Sequence, residues 1–523
     1  RSVQQERIYI MDIKRAKQEI KDSIEAYLAK DEFGEYLIPA IRQRPILLMG
    51  APGIGKTQIM EQIARECKVG LVSYTITHHT RQSAVGLPFI KEKTFGQETF
   101  SVTEYTMSEI IASVYEKMEK TGLREGILFI DEINCVSETL APMMLQFLQG
   151  KTFGNQKVPE GWVIVTAGNP PEYNKSVREF DVVTLDRIKR IDVQPDFEVW
   201  KEYAYEQGIH PAVISYLELR RKNFYTVDGR IFATARGWED LSRLIQVYET
   251  LDKEVDREVV YQYIQHPMIA KDFAAYLALY NKYKTDYAVE DLLQGKWTPI
   301  ILGKIRNASL DEHLSIVGLL NGKLSQLFAD CYFMDAYVTK LYGYMTEYRD
   351  NLPEMTLESI YKKAENDFQT AKKSELLTKN EEKVFIRTVD FLEKLWIELR
   401  GETGSEDKTE NNKAVEISEK DTYERAKTAF ATEADSLETQ TEYISQTLQN
   451  VFDFMEAAFG DSQEMVAFIT ELNANFYSIW FIQENGSDQY YRHNKGLLFD
   501  DRQKLILGQM EELENTMKRG LKN

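Results

Sequence analysis

The sequence GAPGIGKT at residues 50–57 decides how the first part of the chain folds. It matches the pattern GxxxxGK[ST], and it stands between an apolar run at residues 46–49 and a pattern of apolar residues with helical spacing. Glycines let backbone N–H groups curve around phosphate oxygens, and the N-terminus of the following helix adds partial positive charge. The pattern therefore predicts a strand, a phosphate-binding loop and a helix, in that order.

The loop supplies the predicted contacts to a nucleotide. Lys56 is expected to reach the β- and γ-phosphates, and the hydroxyl of Thr57 is expected to bind Mg²⁺. ATP and Mg²⁺ are therefore the expected ligands, and a glycine-rich turn without a ligand is the alternative interpretation. The other predicted binding residues all belong to the same loop and are Gly50, Pro52, Gly53, Ile54 and Gly55.

A second apolar run, at residues 127–130, ends in the adjacent acids Asp131 and Glu132. Ligands of open α/β sheets bind at the carboxyl edge of the strands, so we expect both acids beside the phosphate loop. Asp131 is predicted to hold Mg²⁺, directly or through water, and Glu132 to polarise the attacking water. Acids after a strand are a weak signal alone, but their position after a phosphate loop makes the prediction strong.

A third run, at residues 163–165, leads into the segment TAGNP, in which Asn169 is the polar residue of interest. We predict that Asn169 orients the same water from the opposite side, on a strand between the two motif strands. The alternative is that Asn169 only caps a turn before Pro170, because Asn-Pro is a common turn dipeptide.

Strand-length apolar runs alternate with helical patterns up to residue 195, which predicts an α/β fold with a parallel sheet. Further runs lie at residues 71–76 and 191–193. Residues 89–105 and 151–158 interrupt the alternation with period-two patterns, which predict two β-hairpins.

After residue 195 the pattern becomes helical, and we expect three domains along the chain. An α/β nucleotide-binding core with an N-terminal helix and the two hairpin inserts is predicted for residues 1–195. A helical lid is predicted for residues 196–298. An all-α C-terminal domain is predicted for residues 299–523, with long amphipathic helical patterns near residues 308–349, 355–399, 421–459 and 499–520. A flexible loop is predicted near residues 401–420, because this stretch is polar and almost free of bulky apolar side chains.

The order and spacing of these motifs resemble those of MoxR-like AAA+ ATPases over roughly residues 12–290. The resemblance implies a P-loop AAA+ core with a helical lid, and rings, usually hexamers, that bind ATP between subunits. It rests on five segments, which are GAPGIGKT (50–57), DEIN (131–134), AGNP (167–170), LDR (185–187) and TARGWE (234–239).

The resemblance also implies roles for two arginines and for the hairpins. Arg187 matches the arginine finger that reaches the γ-phosphate of a neighbouring subunit, and Arg236 is similar to the sensor-2 arginine of the lid. Arg178 and Arg190 lie near the finger position as well, and an ion pair within the domain is the alternative role for Arg187. The hairpins resemble inserts that face the pore of the ring.

Proteins of this type remodel or mature protein clients, often together with a protein that carries a von Willebrand factor A domain. We therefore expect an ATPase of that kind. A nucleotide-gated scaffold is the first alternative, although a pure switch need not keep the water-activating acid. A nucleic-acid motor is the second. The sequence leaves open the client, any metal inserted into it, the size of the ring and the role of the C-terminal domain.

Charge and composition restrict the partners. The net charge is −19, and residues 301–523 carry 26 basic and 40 acidic side chains. Such a surface repels a phosphate backbone, so we expect no nucleic-acid partner. No apolar stretch reaches the ~20 residues of a membrane helix. The three cysteines are too widely spaced for a disulfide framework, which is typical of a reducing, cytoplasmic protein.

Overall fold

The computed structural model describes residues 10–78, 84, 86–153, 156–173, 177, 180–403 and 418–495. The chain divides into two compact units. The first comprises residues up to 199, residues 225–237 and residues 358–393, and the second comprises residues 200–224, 238–357 and those from 394 onward. Among the described residues, no helix combines the length and apolar character needed to cross a bilayer.

A parallel sheet forms the centre of the first unit. Its strands are β1 (Ile10–Met11), β2 (Ile46–Gly50), β3 (Gly70–Thr75), β6 (Gly126–Asp131), β9 (Trp162–Gly168) and β10 (Lys189–Val193). Their order is β1-β10-β2-β9-β6-β3, and each neighbouring pair is parallel. All five apolar runs are therefore strands, and β9 does lie between β2 and β6, as predicted.

Helices cover both faces of this sheet, which is why β2 and β9 are buried along their whole length. Helices α1 (Ile13–Leu28) and α2 (Lys56–Glu66) pack on one face. Helices α3 (Glu109–Thr121) and α4 (Ala141–Gly150) pack on the other. The α/β fold class predicted from the sequence is confirmed.

Both predicted hairpins are present in the first unit. Strands β4 (Pro88–Phe95) and β5 (Glu98–Tyr105) pair in antiparallel register, with Gly96 at a φ of 68° in the turn. Strands β7 (Thr152–Phe153) and β8 (Gln156–Lys157) form the second, much shorter hairpin. Its turn residues, 154 and 155, lie outside the described part of the chain.

The region after residue 195 is helical apart from one ribbon that we did not predict. Strands β11 (Thr226–Asp228) and β12 (Ile231–Ala233) pair in antiparallel register. Each strand has three residues, too few to establish a period of two in the sequence. Gly229, at a φ of 61°, allows the tight turn between them.

The remaining helices, all but the first of which lie after residue 195, confirm the helical character of the C-terminal part. They are α5 (Val182–Leu185), α6 (Phe197–Glu206), α7 (Pro211–Leu219), α8 (Ala235–Thr250), α9 (Arg257–Tyr263), α10 (Pro267–Asp286), α11 (Val289–Leu293), α12 (Pro299–Arg306), α13 (Leu310–Asp350), α14 (Leu357–Ser374), α15 (Lys379–Thr403), α16 (Glu419–Phe459), α17 (Gln463–Ala474) and α18 (Phe476–Asn485). Most of the polar loop near 401–420, and the helical pattern near residues 499–520, lie outside the described residues.

The helical pattern over residues 355–399 is two helices, α14 and α15, rather than one. The backbone of Glu375 is left-handed, with a φ of 57°, which ends α14. A capping box then starts α15, because Thr378 Oγ1 accepts from Glu381 N at 3.1 Å and Thr378 N donates to Glu381 Oε2 at 2.7 Å. This T-x-x-E signal is readable in the sequence, and the helical periodicity obscured it.

A buried ion cluster joins three helices of the second unit. The Lys201 side chain is only 1% exposed, and its Nζ donates to Glu218 Oε2 at 2.8 Å and to Glu471 Oε1 at 3.0 Å. Burial opposes the charge of Lys201, but the two carboxylates outweigh it and raise its pKa. The cluster connects α6 and α7 with α17, from opposite sides of the predicted boundary at residue 298, which stays a prediction.

Candidate nucleotide-binding site

The phosphate loop depends on glycine at three positions. Gly53 and Gly55 adopt left-handed conformations with φ of 74° and 94°, which L side chains rarely adopt. At Gly50 the constraint is space, because an added Cβ would lie 2.8 Å from Ile54 Cδ1 and 3.0 Å from Val193 O. Ile54 therefore folds back over the end of β2, and this contact gives the loop its compact curve.

Lys56, the first residue of α2, is 8% exposed. Its Nζ donates hydrogen bonds to Gly50 O (2.8 Å), Ala51 O (2.8 Å) and Asn169 Oδ1 (2.9 Å), which uses all three donors of the ammonium group. Burial lowers the pKa of Lys56 to about 8, with the positive charge of Arg236 acting in the same direction and Asp131 opposing it. The lysine is therefore mostly charged at neutral pH.

The two acids after β6 are held by specific partners. Thr57 Oγ1 donates to Asp131 Oδ2 at 3.2 Å, and Glu132 N donates to Asp131 Oδ1 at 2.8 Å. Glu132 itself has a left-handed backbone, with a φ of 57°, and its Oε2 accepts from Thr77 Oγ1 at 2.7 Å. The two acids thus lie together at the carboxyl end of β6, and Asp131 directly contacts the threonine of the phosphate loop.

Asn169 follows β9 and points its side-chain oxygen at Lys56. Its backbone is held by Asn134, because Asn134 Nδ2 donates to Asn169 O at 2.8 Å and Asn134 Oδ1 accepts from Asn169 N at 3.3 Å. The interpretation of Asn169 as only a turn cap does not account for the bond to Lys56.

Residues 225–237 place Arg236 against the phosphate loop within the same unit. A Cβ added at Gly53 would lie 3.4 Å from Arg236 Cβ, so the two backbones approach closely. Tyr225 adds a direct link, because its hydroxyl donates to Pro52 O at 2.7 Å. Arg236 is exposed in the first turn of α8, and its guanidinium is close enough to affect the pKa of Lys56.

The candidate finger arginines have different surroundings. Arg187 is exposed after α5, and its Nη1 donates to Gln149 Oε1 at 2.6 Å. Arg190 forms an ion pair with Asp192 at 2.8 Å. Arg178 lies outside the described residues. Within the part of the chain that the structure describes, Arg187 forms no ion pair, and no hydrogen bond connects it to the phosphate loop.

Sequence reasoning missed three residues that contact the site, which are Thr77, Asn134 and Tyr225. Asn134 belongs to the quoted DEIN segment, but no sequence pattern predicts its contact with Asn169. Thr77 follows β3, the neighbour of β6, so its place near the carboxyl edge was deducible once the strand order was known. Nothing in the sequence pattern around Tyr225 indicates its contact with the loop.

The donor set fits Mg²⁺ and a nucleoside triphosphate. Mg²⁺ is usually bound by one or two protein oxygens together with phosphate oxygens and water, and Thr57 and Asp131 offer such a pair side by side. Among the described residues, no group of three or more His, Cys, Asp or Glu side chains forms a self-sufficient metal cage. The left-handed glycines and the ammonium of Lys56 suit the phosphates.

Comparison with known proteins identifies the segment that carries this geometry. Residues 46–186 match the ATPase family associated with various cellular activities (AAA). This segment is an AAA ATPase domain. The matched part of the AAA domain runs from β2 to one residue before Arg187, so it contains Lys56, Asp131 and Asn169, whereas Arg187 and Arg236 lie beyond it.

Other comparisons add less to the description of the AAA domain. No curated protein matches the chain. Among solved structures, a mutant of Thermogota maritima RuvB is similar over 49% of this chain and 70% of its own, with 14% identity and a TM-score of 0.28. At that TM-score the likeness supports no conclusion about function.

Proposed function

We propose that this chain is a ring-forming ATPase of the MoxR-like type, which hydrolyses ATP to ADP and phosphate in order to remodel or mature a protein client. The observation that carries the proposal is the convergence of four polar side chains from three neighbouring strands and their loops. Lys56 bonds to Asn169, and Thr57 bonds to Asp131, at one edge of the sheet. A structural turn has no need of such an arrangement.

The chain's own residues divide the work of hydrolysis. The loop N–H groups and the Lys56 ammonium bind the phosphates, and Arg236 adds positive charge on the lid side. Thr57 and Asp131 would hold Mg²⁺, which when bound neutralises charge on the phosphate oxygens. Binding and charge neutralisation, rather than covalent chemistry, are what phosphoryl transfer asks of a protein.

Glu132 and Asn169 are the residues that would handle the water. A carboxylate accepts a hydrogen bond from the attacking water and orients it, and the Asn169 amide would orient it from the side of the adjacent strand. The oxygen of water forms a bond to the γ-phosphorus as the bond to the β–γ bridging oxygen breaks, and ADP leaves. In the present structure Thr77 Oγ1 donates to Glu132 Oε2, and the carboxylate keeps further acceptor sites with which it can bind a water.

Assembly into a ring would complete the site. Arg187 is exposed and free of ion pairs within the described residues, which suits a residue that stabilises charge on the γ-phosphate of a neighbouring subunit. A guanidinium in that role accelerates hydrolysis by ~10³–10⁵-fold. A hexamer, a protein client and a partner with a von Willebrand factor A domain are the finer parts of this proposal, and they follow from the resemblance to MoxR-like proteins.

The purified chain should hydrolyse ATP and form closed rings, seen as a single high-mass species by native mass spectrometry with ATP present. The Glu132→Gln variant should bind ATP but not hydrolyse it. A nucleotide-gated scaffold would keep its cellular function in this variant, whereas a remodelling ATPase would lose it. Stimulation of hydrolysis by single-stranded DNA would instead favour a nucleic-acid motor.

A further inference from the structure

The segment after β6 and the segment after β9 are fastened together by one buried side chain, Asn134. It is 2% exposed and lies two residues after Glu132. Its Nδ2 donates to Asn169 O and its Oδ1 accepts from Asn169 N, so both ends of the amide are used on the two backbone groups of one residue. This donor and acceptor pattern also fixes which end of the amide is nitrogen.

The Asn134 side-chain amide bonds to the segment after β9 beyond the point where the backbone pairing of β6 and β9 ends. The last paired residues of β6 and β9 are Ile130 and Thr166. Beyond them, Ile133 N still donates to Ala167 O at 2.9 Å, and the Asn134 side chain then makes two hydrogen bonds to the backbone of Asn169. These two bonds extend the polar connection between the segments past Ile133.

Gly168 is explained by the same contact. A Cβ added there would lie 2.6 Å from Asn134 Oδ1 and 2.9 Å from its Cγ. The φ of Gly168 is not in the left-handed region, so the requirement is for space rather than for backbone freedom. The glycine in the AGN segment therefore admits the asparagine of the DEIN segment.

We infer that Asn134 is a positioning residue for hydrolysis, which sets the distance between Glu132 and Asn169 without touching the nucleotide. The inference rests on the proposed ATPase function. The two residues that would flank the attacking water come from different strands, and Asn134 is the side chain that ties their backbones together. A displacement of about 1 Å in such a pair costs about 10²-fold in rate.

Nucleotide binding should be far less sensitive to Asn134 than turnover. Lys56 keeps its bonds to Gly50 O and Ala51 O whatever happens to Asn169. In the described part of the chain, the hydrogen bonds of Asn134 join it to Asn169 and Cys135, and none joins it to the loop glycines or to Thr57. The separation between binding and turnover distinguishes positioning from a general structural role.

The test uses the full chain with four variants, which are Asn134→Ala, Asn134→Asp, Gly168→Ala and the double variant of Asn134→Ala with Gly168→Ala. Asn134→Asp keeps size and one acceptor but places an oxygen against Asn169 O. We expect kcat to fall by about 10–100-fold in each, with the Kd of a fluorescent ATP analogue changed less than about threefold. The double variant should be no worse than the poorer single variant, because both substitutions disturb the Asn134–Asn169 contact and the other neighbour of an added Cβ, Met49 Sδ at 3.0 Å, belongs to a flexible side chain that can move.

Asn475→Ala is the matched control, since Asn475 is 3% exposed, uses its amide on Ser325 Oγ and Tyr477 N, and lies in the second unit. It should lower the melting temperature but leave kcat unchanged. A wild-type kcat in the Asn134 variants would overturn the inference. It would also be overturned if kcat and nucleotide affinity both fell across the variants in proportion to the decrease in melting temperature. A wild-type chain that binds the analogue but hydrolyses no ATP would remove the proposed function as well.

Discussion

The ammonium of Lys56 and the side-chain amide of Asn169 are joined by a hydrogen bond of 2.9 Å, although 113 residues separate them in the sequence. The bond links a residue that would bind the phosphates with a residue that would orient water. The other two Nζ–H groups donate to main-chain carbonyls of the loop. A phosphate oxygen that accepts a hydrogen bond from Lys56 therefore has to replace Asn169 Oδ1 or one of these two carbonyls.

Replacing Lys56 with alanine should abolish nucleotide binding. The substitution removes the buried positive charge that would bind the phosphates, and it removes the Lys56 donor of Asn169 Oδ1. Equilibrium titration with a fluorescent ATP analogue measures the effect. Lys68→Ala, which removes an exposed lysine shortly after α2, is the control and should bind as wild type does. Tight binding by Lys56→Ala would refute the site.

Nucleotide affinity should fall as the pH rises through about 8. Burial lowers the pKa of Lys56 to about 8, and the charged form is the one that attracts phosphate. Above that pH, binding must restore the proton, so affinity falls by up to about tenfold per pH unit, whereas below about pH 7 it is independent of this group. Titrations between about pH 6.5 and 9.5 measure the profile. A flat profile for the wild type would contradict the role of Lys56.

Arg187→Ala should bind ATP and fail to hydrolyse it, because under the proposed function its guanidinium stabilises charge on the nucleotide of a neighbouring subunit. Mixing it with Lys56→Ala subunits should restore part of the activity, since an intact Arg187 then lies beside an intact nucleotide site. Arg190→Ala is the matched control and should stay active, because Arg190 already pairs with Asp192. The reverse result, with Arg190→Ala inactive, would transfer the role to Arg190.

Phe95→Ala should uncouple hydrolysis from action on a client. Phe95 is 60% exposed at the tip of the β4–β5 hairpin, and its ring centroid lies 6.2 Å from that of Phe100. Basal ATPase activity should stay within about twofold, while stimulation by a permanently unfolded model protein should be lost. Phe33→Ala, at an aromatic residue that is 81% exposed elsewhere in the first unit, should keep both. If the unfolded protein stimulated Phe95→Ala as much as the wild type, the β4–β5 hairpin would have no role in client binding. Phe153, in the second hairpin, is expected to behave as Phe95 does.

Glu471→Ala should destabilise the second unit by about 3–5 kcal/mol, because it removes one of the carboxylates that compensate the buried ammonium group of Lys201. Urea unfolding measures the change in the free energy of unfolding. Glu438→Ala removes an exposed glutamate of α16 and should change it by no more than about 0.5 kcal/mol. A similarly small effect for Glu471→Ala would mean that water replaces the carboxylate and that the cluster is not a stabilising connection.

Several structural elements followed from local sequence patterns. The run before Gly50 and the run before Asp131 are continuous and apolar because parallel strands are covered on both faces, and both proved to be strands. The place of β9 between β2 and β6 followed from the rule that ligand-binding residues gather at the carboxyl edge. The short ribbon before α8 was not predicted, because its strands are too short to show a period of two. The break at Glu375 was not predicted, because the capping box lies inside a helical pattern.

The sequence by itself determined the phosphate loop, the acids after β6 and the α/β class, since these depend on residue types within a few positions of one another. Only the tertiary structure decided that Asn134 grips Asn169, that Thr77 holds Glu132, and that Lys201 meets Glu471 across 270 residues. Such contacts depend on which strands and helices become neighbours. Many residues of the same type in the chain could form each of these contacts, and the local sequence pattern does not indicate which of them does.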